Sequence, residues 1–479
     1  MKTACILLTF QPVFEPARPL GGRTVDQWVS SALDQCLPAA VRFRAGPFGS
    51  AAELVASLAS LGQGFDELVV VAADAPFLRP DVVAAMVDLH RQYRADYTFA
   101  DGYPVGLTPE ILRPSLLDVL APWAEARVGA ADRETLFQLL STDINRFDVE
   151  TQLSPVDLRA RRLSLTADTR RNRLLLERYA ADTRLDTRAL LEVIEATGDR
   201  SRTLPATLHV QVCDGVRQLP VWSPLAQFVP DALGRRHVLS RDRWNQLLDR
   251  ALAWAGDLTV LPSFWGEPSL HPEITGLLTD ALAKPGVRLC VETSGLGWSS
   301  DLGPLATQAA GRLDWIVELD SDVPATYAAL RGEGFAEAQE FCSRLCTLFP
   351  GHVWPQTVRM DSNEAEMEAF HQRWKAEAGR VIIQKHNDFS GRLTRAKPSD
   401  LSPWKRHPCW HLARDLAVFL DGTAVVCRDD FDRTQPLGNL WTEDFPAVWG
   451  RGRDLFDRHV QGQWSGVCQN CDEWYTYHF

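Results

Sequence analysis

The sequence predicts an α/β protein in three parts: a head with a largely parallel, Rossmann-type sheet, a partial β/α barrel, and a small cysteine-rich end. Three observations carry this. Short apolar runs alternate with helical periodicity over the first 180 residues. Six further strand-then-helix units follow between 206 and 395. After Lys397 the pattern changes to short runs of Trp, Cys, Gly and Asp, the composition of a domain stapled by something other than its core. The length of 479 residues suits about three domains at roughly 150 residues each.

In the head (1–180), TACILLTF at 3–10, ELVVVA at 67–72 and YTFA at 97–100 read as strands, and VVAAMVDLHRQY at 82–93 as a helix. The charged, Leu-rich stretch that follows reads as helices, with 181–205 as a linker. The barrel strands are TLHVQVC, DLTVLPSF, VRLCVET, DWIVELD, VWPQTVRM and RVIIQKH. In the last part (396–479), LAVFLDG followed by TAVVC reads as a hairpin turning at Asp421-Gly422.

Composition narrows the function. Fifty basic against 62 acidic side chains give a net charge of -12, which argues against nucleic-acid binding. The basic group around Arg159–Arg173 is interspersed with Asp157, Asp168 and Glu177 and reads as a solvated helix face. No apolar stretch reaches the roughly 18 residues of a membrane span. The expected location is the cytoplasm, where ten cysteines point to metal or buried thiols rather than disulfides.

The candidate metal ligands are Cys409, Cys427, Cys468 and Cys471. The hairpin returns Cys427 toward Cys409, and the Cys-x-x-Cys pair supplies two more thiols from one turn. Four thiolates suit a 4Fe-4S cluster or a structural zinc, and spacing alone leaves both open. Cys342 and Cys346, at helical i, i+4 spacing, and Cys290, in an apolar strand, read as core thiols.

Cys409, Gly422 and Cys427 at these intervals, then Gly438-Asn439-Leu440, Trp449 and the Cys468–Cys471 pair, resemble the SPASM domain of radical SAM proteins. The resemblance extends upstream: WGEPSLHPEI at 265–274 is similar to the family's Gly-Gly-Glu-Pro segment, and VETSG and ELDSDVPATYAALRGEGF to its following strands. It implies S-adenosylmethionine contacts at Gly266 and Glu267. It also requires three thiolates in a Cys-x-x-x-Cys-x-x-Cys loop after the first barrel strand. Here that loop is CDGVRQLP: Cys213 is present, but Arg217 and Pro220 stand at the other two positions and neither is a usable ligand. Trp265 stands where the family has a glycine.

VVVAADAPFL at 69–78 and ADYTFADGYPVGLTPEIL at 95–112 resemble nucleotidyltransferases that activate sugars with CTP or GTP. That resemblance implies a Mg2+-nucleotide site at Asp74, with Asp168 as a late second carboxylate. The segment after the first strand, QPVFEPARPLGGRT, has three prolines and Glu15 where amide donors should wrap a triphosphate, leaving Arg18 and Arg23 as cations. No lysine occurs between Lys2 and Lys284. The order of parts resembles the spiro-SPASM family. The expectation is an iron-sulfur protein with one C-terminal 4Fe-4S cluster and no radical generation, acting as a binding, scaffold or redox partner of a protein or peptide. The alternatives are residual nucleotidyl transfer at Asp74 or an S-adenosylmethionine-binding enzyme, with zinc in the four-cysteine site.

Overall fold

The computed structural model describes residues 1–476. The chain divides into two compact units, Met1–Thr203 and Leu204–Phe479. Among the described residues no helix is long and apolar enough to cross a membrane.

The first unit holds a six-stranded sheet made of β1 (Thr3–Leu8), β2 (Val41–Ala45), β3 (Glu67–Ala72), β4 (Tyr97–Asp101), β5 (Glu110–Leu112) and β6 (Val149–Leu153), in the order β2-β1-β3-β5-β4-β6. Only β5 runs antiparallel to its neighbours. Alternate residues of each strand point to opposite faces, so the sheet carries two cores. Ala4, Ile6 and Leu8 enter one core, Cys5 and Leu7 the other. Local signals set the helix starts: Thr24 and Gln27 form a capping box ahead of Val25–Cys36, and Ser50 caps Ala51–Leu61.

Residues 181–203 of the stretch expected as a linker belong to this unit, as does the helix before them. Leu175, Leu176 and Tyr179 of helix Arg170–Tyr179, and Leu190, Leu191 and Ile194 of helix Thr187–Ala196, lie in one of the two head cores. Their surface charge suggested a connector, whereas the spacing of their leucines makes a buried stripe.

The second unit is one nine-stranded sheet. The six barrel strands are β7 (Thr207–Val210), β8 (Leu258–Leu261), β9 (Val287–Thr293), β10 (Leu313–Glu318), β11 (Val353–Arg359) and β12 (Ile382–Lys385). They pair parallel in sequence order, the arrangement of an open β/α barrel. The cysteine-rich segment adds β13 (Asp415–Val418), β14 (Thr423–Val425) and β15 (Pro436–Asn439), and β13 pairs parallel with β7 from Asp415↔Thr207 to Val418↔Val210. The tail therefore shares the barrel's sheet and its core: Leu416, Val418, Leu440 and Trp449 pack in the same apolar cluster as Leu208, Trp244 and Trp315. The shift in composition at 397 marks a change of loop content, and the hydrophobic core continues through it. The expected hairpin is present between β13 and β14, with Gly422 at φ 88°, and a side chain there would collide with Trp441.

Because β13 covers the β7 edge, residues 206–395 expressed alone should be insoluble or molten. Residues 1–203 and residues 204–479 should each melt cooperatively by circular dichroism. Cooperative melting of 206–395 would contradict the shared core.

Candidate functional site

The carboxyl ends of the barrel strands surround a cavity of about 160 Å³. In a radical SAM barrel this mouth would hold the cluster, so the fit of its residues is decisive. Cys213 is fully buried, and its thiol donates to the Glu267 carbonyl at 2.9 Å. Burial, with the Glu267 charge adding to it, pushes that thiol up to about 12. Arg217 lies across Gly297, where a Cβ would sit 2.1 Å from its Nη2. These residues do not fit a cluster at the mouth: one protonated thiol is present and a guanidinium stands at the second ligand position.

Packing requires a glycine at 266, since a Cβ there would lie 1.9 Å from the Cys213 carbonyl. Glu267 accepts from Thr293 Oγ1 (2.6 Å), Ser294 N (2.8 Å), Ser294 Oγ (2.6 Å) and Ser269 N (3.3 Å). A carboxylate has about four lone-pair positions, and here all are used to tie strand ends together. Trp265 takes φ 47°, the left-handed backbone a glycine would adopt freely. Its indole donates to the Arg428 carbonyl at 2.7 Å and its ring packs with Phe264, Phe389 and Phe431.

Two guanidiniums organise the charge at the mouth. Arg428 is bidentate to Glu292, at 2.9 and 2.8 Å. Arg331 serves two carboxylates, Asp320 at 2.6 Å and Glu318 at 3.0 Å. Asp320 also accepts from Trp222 and from the Val358 amide, so it is the better served of the two. Glu318 is the odd carboxylate. Burial raises it to about 7, against the pull of Arg331 and with Asp320 adding repulsion. Glu318 faces Gln356 across the β10–β11 ladder, and both line the cavity.

Cys409, Cys427, Cys468 and Cys471 line one small, mainly apolar cavity, together with His411 and His459. The hairpin delivers Cys427, a short 3-10 turn, Gly466–Cys468, delivers Cys468, and Cys471 follows three residues later. Two amides point at sulfur, Asp429 N to Cys427 at 3.4 Å and Glu473 N to Cys471 at 3.3 Å. Burial pushes Cys409 up to about 12 and Cys468 to about 11, and lifts Cys427 and Cys471 well above the usual thiol range. Among the described residues, no three His, Cys, Asp or Glu side chains are grouped as ligands to a single metal ion. The donor set, four thiols on the walls of one cavity with amides aimed at two of them, has the chemistry to hold either an iron-sulfur cluster or a zinc ion. His459 Nε2 is buried there without a hydrogen-bond partner among the described residues. Nothing in the sequence marked His459, which is a lone histidine on the helix Arg453–Val460. Arg428 and Asp429 line both this cavity and the mouth.

Asp74 and Asp168 of the head do come together, but on a guanidinium. Arg133 Nη2 donates to Asp74 and, at 3.5 Å, to Asp168. Asp168 is further held by Thr166 and Asn172, both at 2.8 Å. Burial works against its ionisation, but Asn172, Arg133 and Thr166 prevail and hold it below the usual carboxylate range. Asp74 is raised, because burial outweighs Arg133. Arg133 lies in ARVGAADRET, which carries no motif. With the pair occupied in this way, the residues present do not fit a Mg2+ ion. Cys290 and Cys342 are buried, as their apolar setting predicts.

Glu318 supplies a pH test. Its folded value lies above that of an unfolded glutamate, so its contribution is complete below about pH 4.5 and is lost as pH rises through about 7. Glu318→Gln should match the wild type at pH 4.5 and exceed its stability by about 2 kcal/mol at pH 8 in urea unfolding, allowing for partial exposure. Equal stability at both pH values would show that Glu318 is not held protonated.

No protein-family model matches the chain. Among solved structures, it is similar to BtrN in complex with AdoMet and 2-DOIA, at 14% identity and TM-score 0.38, covering 56% of this chain and 94% of that one. It is similar to Streptococcus suis SuiB bound to precursor peptide SuiA, at 12% identity and TM-score 0.45, covering 71% and 82%. A cytidylyltransferase from Leptospira borgpetersenii is similar at 17% identity and TM-score 0.36, covering 42% and 96%. Among sequences, an uncharacterized protein of Treponema pallidum (strain Nichols) is 32% identical over 358 residues, 72% of this chain and 98% of the relative. A second uncharacterized protein of that organism is 40% identical over 74 residues, 15% of this chain and 34% of the relative. By the first of these two matches, the chain belongs to the same family as the Treponema pallidum protein of which it spans nearly the whole length.

Proposed function

We propose that the chain is a cytoplasmic iron-sulfur protein of the radical SAM/SPASM type that holds one 4Fe-4S cluster on Cys409, Cys427, Cys468 and Cys471 and generates no radical. The observation that carries this reading is the single cavity lined by all four thiols. The cluster would supply one-electron redox chemistry or a rigid joint for the tail. The chain's own contribution is the cage: thiols to ligate, Asp429 and Glu473 amides to stabilise sulfur charge, and apolar walls to exclude water.

Zinc is the second reading, and it has the same four ligands. Thiolates around zinc must close to about 2.3 Å from one point. The four thiols line one cavity, which both readings require, so metal content decides between them. The mouth then serves as a binding surface for a protein or peptide partner, since Cys213 alone cannot anchor radical chemistry there.

Protein purified without air should contain about four iron and four sulfide per chain and little zinc, with absorption near 400 nm that bleaches on reduction. Cys468→Ala and Cys471→Ala should lose the iron, whereas Cys213→Ala should keep it. Iron retained in Cys468→Ala, or stoichiometric zinc in its place, would sink the cluster assignment.

A further inference from the structure

We infer that Arg133 stands permanently in the place of a divalent cation between Asp74 and Asp168, so that the head is a metal-independent unit. The geometry is specific. One guanidinium nitrogen donates to both carboxylates. The Asp74 carbonyl accepts from the Ala167 amide at 2.8 Å, which holds the two segments side by side. Asp168 is braced by Thr166 and Asn172. The guanidinium lies 5.9 Å from the Phe10 ring centre.

Charge and size explain why the exchange is stable. Two carboxylates close together need a cation between them. Arginine provides a charge that does not titrate away and a planar fork that can bridge two acceptors. A Mg2+ ion would need oxygen ligands at about 2.1 Å in octahedral array, several of them waters. Asp74 is only 4% exposed, and Arg133 Nη1 is itself buried without a hydrogen bond among the described residues. While Arg133 is in place, the carboxylate oxygens that such an ion would take are already bonded to a guanidinium.

The surroundings agree. Pro12, Pro16 and Pro19 follow β1 where a phosphate cradle would need amides. Arg18 pairs with Glu15 and Glu177, and Arg23 lies over the Trp28 ring. The cations that could have met a phosphate are engaged within the protein. This inference does not depend on the identity of the cysteine-bound group.

Mn2+, which prefers oxygen ligands and gives an electron paramagnetic resonance signal when free, is the probe. The full-length wild type should leave that signal unchanged. Arg133→Gln should acquire one Mn2+ site at least tenfold tighter than any wild-type binding, and Arg133→Gln with Asp74→Asn should lose it. One Mn2+ bound by the wild type and lost in Asp74→Asn would overturn the inference, as would a folded Arg133→Gln chain that binds none. Should Arg133→Gln not purify, it is refolded with and without Mn2+. Recovery of native circular dichroism only with Mn2+ supports the exchange, and recovery in neither condition overturns it.

Discussion

The second unit depends on one strand pairing. β13 lies against β7 in parallel register, and that contact makes the barrel and the cysteine-rich tail one sheet with one core. A strand at the edge of a sheet leaves its N–H and C=O groups unpaired, and β13 pairs the edge of the first barrel strand. The pairing also sets where the thiols go. Cys409 lies six residues before the start of β13, and Cys427 two residues after the end of β14. The hairpin folds those two positions onto the same end of the sheet, the end where β7 begins.

Arginine clamped between carboxylates is the second recurring device. Arg133 in the head, and Arg331 and Arg428 in the barrel, each sit against acidic side chains in places where a ligand's charge could have been met. The guanidinium is weakly hydrated for a cation and carries several donors, so it tolerates burial better than an ammonium. The long stretch without lysine between Lys2 and Lys284 is consistent with that choice. The carboxylates such arginines serve are not equivalent. Asp320 and Glu318 share Arg331, and burial displaces Glu318 upward in spite of that shared cation.

The six barrel strands were legible because each is a short apolar run followed by helical periodicity, and every one forms where that pattern places it. The hairpin at Asp421-Gly422 was legible from turn chemistry. The convergence of four cysteines on one cavity could be anticipated from that hairpin and the Cys-x-x-Cys turn. Domain limits were less legible. Composition changed near 181 and near 397, but cores are set by which faces are buried, and the leucines of Arg170–Tyr179 and the apolar residues of β13 join cores that began far upstream. Arg133, Glu318 and His459 were silent in the sequence. Their roles come from long-range neighbours, and no local pattern records a neighbour 35 or 59 residues away, as for Arg133.

The close approach of Gly266 to the Cys213 carbonyl couples two loops. The loop after β7 and the loop after β8 touch with no side chain between them, and the Cys213 thiol, donating to the Glu267 carbonyl, adds a second tie. Neither loop can shift without carrying the other, so a substitution at 266 would be felt on both sides of the mouth.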